Sequence, residues 1–332
     1  MDKTSVSIVI VTWNNNTYLN SCLDNIQVQA PYLSEAIIVD NNSDRTGTGS
    51  LQEKYPSLGI RIKKLNSNLG FATANNIGAR LAQGKWLAFL NADAFPEPDW
   101  LKNLLKAAEE NPDYSFFSSR QIQANAPELL DGAGDAYHVS GLAWRHGYNH
   151  RSAEYGNKQK EVFSACAAAA LISREEFLQM GGFDEDFFSY FEDVDLGFRL
   201  RLAGKKCMYV PDAVVHHVGS ASTGRRSDFS VYYGYRNMIW TFFKDMPSPL
   251  IWFFLPIHMG TILFFILYLT LRGQGKVILQ AVSHAIGGLP EILEKRRGIQ
   301  RNINIKPHDL LKVMSTGMFE PYLEFMRRNK SK

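Results

Sequence analysis

The sequence predicts an α/β chain built on a doubly wound, mostly parallel sheet with flanking helices. Three observations carry this. Near-continuous apolar runs rich in β-branched residues recur at roughly thirty-residue intervals, as strands buried on both faces require. Helix-patterned segments separate them. The loops that follow the strands (TWNN, VDNNSD, LNSNLG and LNAD) are rich in Asn and Asp, and in such sheets ligands bind beyond the carboxyl ends of the strands.

The elements follow in order. VSIVIVT (6–12) reads as the first strand, and Tyr18, Leu19, Cys22, Leu23 and Ile26 mark a helix behind it. EAIIVD, ending at Asp40, is the second strand, with a helix-like stretch over 46–55. IRIKKL (60–65) is the third strand. Residues 71–83 are predicted helical and stopped by Gly84. KWLAFLNAD is the fourth strand, and DWLKNLLKAAEENP a helix closed by Pro112. Residues 120–160 carry short strands expected to help form an acceptor cleft. A helix over 174–180 precedes an amphipathic helix opening at Glu192, and KKCMYVPDAVVHHVGSAST supplies further short strands.

The chain has 332 residues, 45% hydrophobic and 21% charged, ordinary globular composition with ample length for a core. A net charge of +3 gives no footprint for nucleic acid. Cys22, Cys166 and Cys207 are widely spaced, which excludes a CxxC zinc site or a disulfide framework and fits a reducing compartment. The N-terminus has no apolar signal segment, so the catalytic part is expected in the cytosol. The expected division is 1–240 as the α/β domain, in halves of 1–118 and 119–240, and 241–332 as a helical extension.

Three constellations carry chemistry. Asn91-Ala92-Asp93 ends the fourth strand, where a carboxylate beside a nucleotide crevice suits Mg²⁺ or Mn²⁺, both seekers of oxygen ligands. The same triplet also suits an Asx turn. Glu192, Asp193 and Asp195 place three carboxylates within four residues, which repel one another unless a cation or donor is near. At a helix N-terminus they also favour the dipole. The aromatic run before them presses the acids against apolar surface and raises a carboxylate toward general-base range. His216 and His217 end a strand, where an imidazole ligates metal or packs structurally. Alternation sends the two rings to opposite faces, and His216 is the one favoured for the site.

Together, VSIVIVTWNNNTYLNSCLDNI, IIVDNNSDRTG, NSNLGFATANNIGARLAQGKWLAFLNAD, GGFDEDFFSYFEDVDLGFRLRLAG and VVHHVGSAST resemble a family 2 glycosyltransferase, over roughly residues 4–240. The resemblance is to the rhamnosyltransferase-like branch that builds bacterial surface polysaccharides such as O-antigen and cell wall. It implies a GT-A fold and an inverting transfer from a nucleotide-diphosphate sugar. It places Asp40 beside the base, Thr12 and Asn14 near the nucleotide, and Asn68, Gly70 and Asn75 along the nucleotide-diphosphate pocket. Asn91 and Asp93 match the family's DxD motif, with Asp93 the metal ligand and Asn91 replacing the usual first aspartate. His216 matches a late metal-ligand histidine. Asp193 falls at the general-base position, with Glu192 beside it contacting acceptor or donor. L-Rhamnose from dTDP-rhamnose is the sugar the resemblance suggests, with UDP-hexose or UDP-galactofuranose donors, or a non-catalytic sugar-binding protein, as alternatives. The absence of GxGxxG after the first strand argues against a dinucleotide oxidoreductase. TWNNN lacks the phosphate loop a nucleotidyltransferase wants.

The tail changes character. Residues 250–271 hold no charge, and 272–332 hold 12 Lys and Arg against 5 Asp and Glu, an excess of 7. A full span would place that basic tail outside the cytosol, against the positive-inside rule. Pro256 and Gly260 are expected to interrupt the segment. The expectation is a peripheral or re-entrant attachment to the cytoplasmic face of the plasma membrane, with a lipid-linked saccharide as acceptor. A buried helix or a homodimer interface is the alternative.

Overall fold

Val6–Thr12 forms β1 and is buried along nearly its whole length, because a parallel strand covered on both faces leaves no side for polar residues. The computed structural model describes residues 5–14, 16–44, 49–219 and 226–329. After β1 come α1 (Asn16–Ile26), β2 (Leu33–Asp40), α2 (Leu51–Lys54), β3 (Arg61–Lys64), α3 (Gly70–Leu81), β4 (Trp86–Leu90), β5 (Ala94–Pro96) and α4 (Trp100–Glu110). The second half adds β6 (Tyr114–Gln123), β7 (Ala126–Ala133), β8 (Asp135–Tyr137), β9 (Ala143–Arg145), β10 (Lys160–Val162), β11 (Ala169–Ser173), α5 (Arg174–Gln179), α6 (Glu192–Leu202) and β12 (Lys206–His217). The tail is helical: α7 (Asp228–Asp245), α8 (Ser248–Leu271), α9 (Gly275–Gly287), α10 (Leu289–Arg301), α11 (Pro307–Val313) and α12 (Glu320–Asn329).

The main sheet runs β10-β12-β6-β11-β4-β1-β2-β3. β3, β2, β1 and β4 are mutually parallel, as are β6 and β12. β11 enters antiparallel between β4 and β6, joining the two halves. Alternation along β1 sends Ile8 and Ile10 into a core under α1 and α4, and Val9 into a second core under α3, α5 and α6. Helices therefore cover both faces, and the carboxyl ends of β1 and β4 open into the crevice between the halves. The expected internal divisions, after residues 118 and 240, fall inside continuous elements, β6 and α7.

Three expectations are corrected. The helix anticipated over 46–55 is only Leu51–Lys54 among the described residues; Arg45–Thr48 lie outside them, and Gly49 and Pro56 flank a single turn. The short strands expected in KKCMYVPDAVVHHV are one twelve-residue strand, whose register with β6 shifts between Val210 and Val214 around Pro211, which has no N–H to give the ladder. Ser220–Thr223 of the motif lie outside the described residues. Pro256 and Gly260 do not interrupt α8, which is unbroken over 24 residues, long and apolar enough to cross a membrane. Pro256 sits on its exposed side, where the carbonyl it leaves unbonded meets no protein. The buried stripe of α8 (Leu250, Ile251, Phe254, His258, Ile262, Phe265 and Leu269) packs on the protein; the remaining faces do not.

Candidate active site

A cleft of about 620 Å³ lies beyond the carboxyl ends of β1 and β4. Of the residues singled out in the sequence, Thr12, Asn68, Gly70, Asn91, Asp93, Glu192 and Asp193 line it together. Asn14, Asp40, Asn75 and His216 do not.

The nucleotide side is shaped by amides. The Asn41 side chain donates to Asn68 Oδ1 at 2.9 Å and to the Gly70 carbonyl at 3.2 Å, while its oxygen accepts from Leu69 N–H at 2.9 Å. These bonds hold the loop between β3 and α3 against the end of β2. Gly70 has φ +82°, and a Cβ there would lie 2.5 Å from the Phe188 carbonyl, so no side chain fits. Asn14 ties the β1 loop to the β2 loop, bonding Ser43 and Asp44. Asp40 accepts from Ser43 N–H at 2.9 Å through Oδ1. Its buried Oδ2, like Thr12 Oγ1, has no hydrogen-bond partner among the described residues. Asn75 bonds back to the Phe71 carbonyl within α3.

Asp93 lies under β12, and here the histidine expectation is corrected. β12 pairs antiparallel with β5, His216 opposite Phe95 and His217 opposite Ala94. That register turns His216 outward to Glu97 at 3.1 Å and His217 inward. His217 Nε2 is 3.5 Å from Asp93 Oδ1 and 3.4 Å from Asn91 Nδ2, and its Nδ1 meets Asp131 Oδ2 at 2.8 Å. Burial pushes the imidazole pKa down, but the two carboxylates outweigh it and raise it to about 9. In return, although burial raises it, Asp93 is held below the ordinary carboxylate value by His217. One carboxylate, one imidazole and one amide facing an open cleft form a donor set suited to Mn²⁺ or Mg²⁺, with diphosphate oxygens completing it. A metal held there would require His217 in its neutral form.

Asp135, Cys166 and Asp193 also bring ligand atoms within 4.8 Å of one another. This group does not fit a hard cation: burial pushes the Cys166 thiol well above its usual range, leaving a neutral soft sulfur. Arg145 already supplies positive charge there, pairing with Asp131.

Asp193 and Glu192 open α6. Burial raises the Asp193 carboxyl above its ordinary value despite hydrogen bonds to Oδ2 from Ala167 N–H (3.1 Å) and to Oδ1 from Val194 N–H (2.8 Å). Burial, with Asp193 beside it, pushes Glu192 up further. Close approach of α6 to the 163–168 loop depends on Gly197, where a Cβ would overlap Ser164. The aromatic run ahead of the acids is strained: Phe188, Tyr190 and Phe191 have φ of 63°, 69° and 68°. On α7 the Asn237 side chain makes the most contacts with it, its amide reaching the carbonyls of Phe187 (2.9 Å), Ser189 (3.0 Å) and Tyr190 (2.7 Å).

Beneath the acids lies a buried ion network. Arg199 pairs with Asp195 at 2.7 Å, Lys244 of α7 with both Asp195 and Asp184, and Lys295 of α10 with Asp184. Lys244 and Asp195 are essentially inaccessible. The sequence reading missed Asn41, Asp131, Arg145 and Asn237, and favoured His216 over His217. Asn41 directly follows Asp40 in the Asn-rich loop, and the histidine pair itself pointed to His217. Nothing local signals the others, which reach the site through long-range pairing.

The family description "Glycosyl transferase family 2" matches residues 7–178. The N-acetylglucosaminyl-diphospho-decaprenol L-rhamnosyltransferase of Mycobacterium tuberculosis is 30% identical over 245 residues, covering 66% of this chain and 77% of that protein. Rhamnosyltransferase WbbL of Escherichia coli is 27% identical over 237 residues, covering 68% and 87%. Among solved structures, the mannosyltransferase PcManGT of Pyrobaculum calidifontis, in complex with GDP-Man and Mn²⁺, superposes with a TM-score of 0.55 over 86% of each chain at 17% identity. That likeness supports the GT-A-like architecture. With the strand order, the crevice and the family match in agreement, the chain is a glycosyltransferase and belongs to glycosyl transferase family 2.

Proposed function

We propose that the chain transfers L-rhamnose from dTDP-rhamnose, with inversion, to a polyprenyl-diphosphate-linked saccharide at the cytoplasmic face of a membrane. The observation that carries the reading is the convergence of Asp193, a half-buried carboxylate of raised pKa, with Asp93 and His217 in one cleft. Asp193 accepts the proton of the acceptor hydroxyl as that oxygen attacks the anomeric carbon. Its raised pKa strengthens it as a base. Asp93 and His217, with Asn91, would hold Mg²⁺ or Mn²⁺, which supplies positive charge against the leaving nucleoside diphosphate. The sugar and the lipid-linked acceptor come from the likeness to the mycobacterial and E. coli enzymes.

The test is release of nucleoside diphosphate from a panel of dTDP-, UDP- and GDP-sugars, with solubilised membranes as acceptor. Release from dTDP-rhamnose that needs Mg²⁺ or Mn²⁺ and falls at least a hundredfold in Asp193→Asn is the expected result. Acceptor-dependent release that survives this change removes Asp193 as the base. Release from a UDP-sugar alone replaces the donor assignment.

A further inference from the structure

Beside the catalytic cleft lies a second cavity of about 460 Å³. Ala143, Trp144 and Phe191 stand on the walls of both, so one extended ligand can occupy the two. The inner wall is apolar: Val231 of α7 and Phe265 and Leu269 of α8 are all buried. The wall also carries Arg226, ahead of α7, and Arg272, at the end of α8. They are drawn to one end because Gln274 donates to the Arg226 carbonyl at 3.1 Å and to Asp228 at 2.9 Å. The described lining carries two guanidinium groups, Arg226 and Arg272, and one carboxylate, Glu324, with Asp228 beside Gln274.

The groove adjoins the most apolar surface of the molecule. Leu269 faces the cavity, while Trp252, Phe253, Leu263, Leu267 and Leu271 of the same helix are 73%, 72%, 63%, 62% and 79% exposed. An apolar channel with cations on its wall, opening beside an uncovered apolar helix, matches one ligand chemistry: an anionic head on a long hydrocarbon. Guanidinium groups are well suited to diphosphate oxygens.

We propose that this groove is the subsite for the prenyl diphosphate of the acceptor. Arg226 and Arg272 take the diphosphate. The first isoprene units lie along Val231, Phe265 and Leu269, and the rest of the chain leaves over the exposed side of α8, which rests in the acyl layer. The saccharide on the other end of the diphosphate passes Trp144 and Phe191 toward Asp193. The assignment rests on the lipid-linked acceptor proposed above.

The test measures binding of geranylgeranyl diphosphate to the full chain in detergent by calorimetry at 0.15 M salt. Inorganic pyrophosphate and geranylgeraniol serve as separate arms. The intact ligand is expected to bind at least tenfold more tightly than either fragment, and saturating dTDP is expected to leave its Kd unchanged. Arg226→Gln/Arg272→Gln raises the Kd at least tenfold without altering dTDP binding. Gly234, on α7 and lining the groove, has no neighbouring atom within 4 Å of where its Cβ would lie, so Gly234→Leu projects into the cavity and weakens binding likewise. A Kd that both variants leave unchanged overturns the subsite, as does displacement of geranylgeranyl diphosphate by dTDP. Donor turnover is read in parallel. Normal lipid-linked transfer with variant-insensitive binding sinks the subsite alone. Variant-sensitive binding in a protein that turns over no donor leaves the subsite standing and counts against the proposed reaction.

Discussion

Asn237→Leu removes the side chain that holds the strained loop in front of the catalytic acids. Phe188, Tyr190 and Phe191 each sit at positive φ, a conformation costing on the order of 1–3 kcal/mol per residue, so the loop stores roughly 3–9 kcal/mol. The two N–H groups of the Asn237 amide are shared among three loop carbonyls at 2.7–3.0 Å, each hydrogen bond worth about 1 kcal/mol net and more where a buried carbonyl is left bare. Arg236 also donates to the Asp186 and Phe187 carbonyls, and Phe188 stacks on Tyr233 at 5.1 Å, so part of the hold survives. Leucine is similar in volume, and the loss is therefore chiefly polar, about 3 kcal/mol. Because the stored strain is comparable, part of the loss is taken by the loop relaxing. Urea unfolding is expected to show a drop of about 2–3 kcal/mol. The kcat for sugar transfer is expected to fall 30- to 100-fold as Glu192 and Asp193 lose their placement, while nucleotide affinity is expected to change less than threefold. A variant with kcat within threefold of wild type and a stability loss under about 0.5 kcal/mol would refute the claim that Asn237 holds the loop.

The two neighbouring histidines separate cleanly. His217→Ala is expected to raise the Mn²⁺ concentration needed for half-maximal activity at least tenfold, as loss of a ligand does, and His216→Ala, on the outer face, to leave it within twofold; equal effects would contradict the register of β12. Asp184 gives a pH signature. Burial pushes this acid up, yet Lys244 and Lys295 pull it well below the usual carboxylate range. A depressed folded-state pKa contributes stability that is present above the unfolded value of about 3.9 and lost as pH falls toward the folded one. Asp184→Asn is expected to cost about 1.5–3 kcal/mol at pH 7, by removing one of the two carboxylates paired with buried Lys244, which keeps Asp195, and to flatten the decline of stability below pH 4. A urea midpoint series from pH 7 to 3 checks both.

The parallel half of the fold was legible because its strands are buried on both faces, and so write themselves as unbroken runs such as VSIVIVT and WLAFL. The carboxylates were legible too, since Asp93 and Asp193 stand at element ends where a local pattern marks them. The histidine pair shows where pattern stops. Alternation says that His216 and His217 face opposite ways, but the inward face is set by pairing with β5, more than 100 residues earlier in the chain. Arg145 and Asp131 come from the antiparallel segment around β7 and β9, whose register depends on partners distant in sequence. Helix α8 is apolar all round, so its buried stripe cannot be read from the pattern, and packing against α7, α9 and residues of β8, α6 and α11 selects it.

The ion network under α6 changes what the C-terminal helices are. The family match ends at residue 178, before the acids that open α6, and the tail beyond α7 invites treatment as a detachable anchor. A protein truncated at residue 240 would lose Lys244 and Lys295 and leave Asp184 and Asp195 facing each other without them. Whatever lineage exchanges this tail for another must also rewrite those aspartates. Catalytic core and tail are thus expected to be inherited as one block, and chimeras joined within α7 to fail at folding before they fail at catalysis.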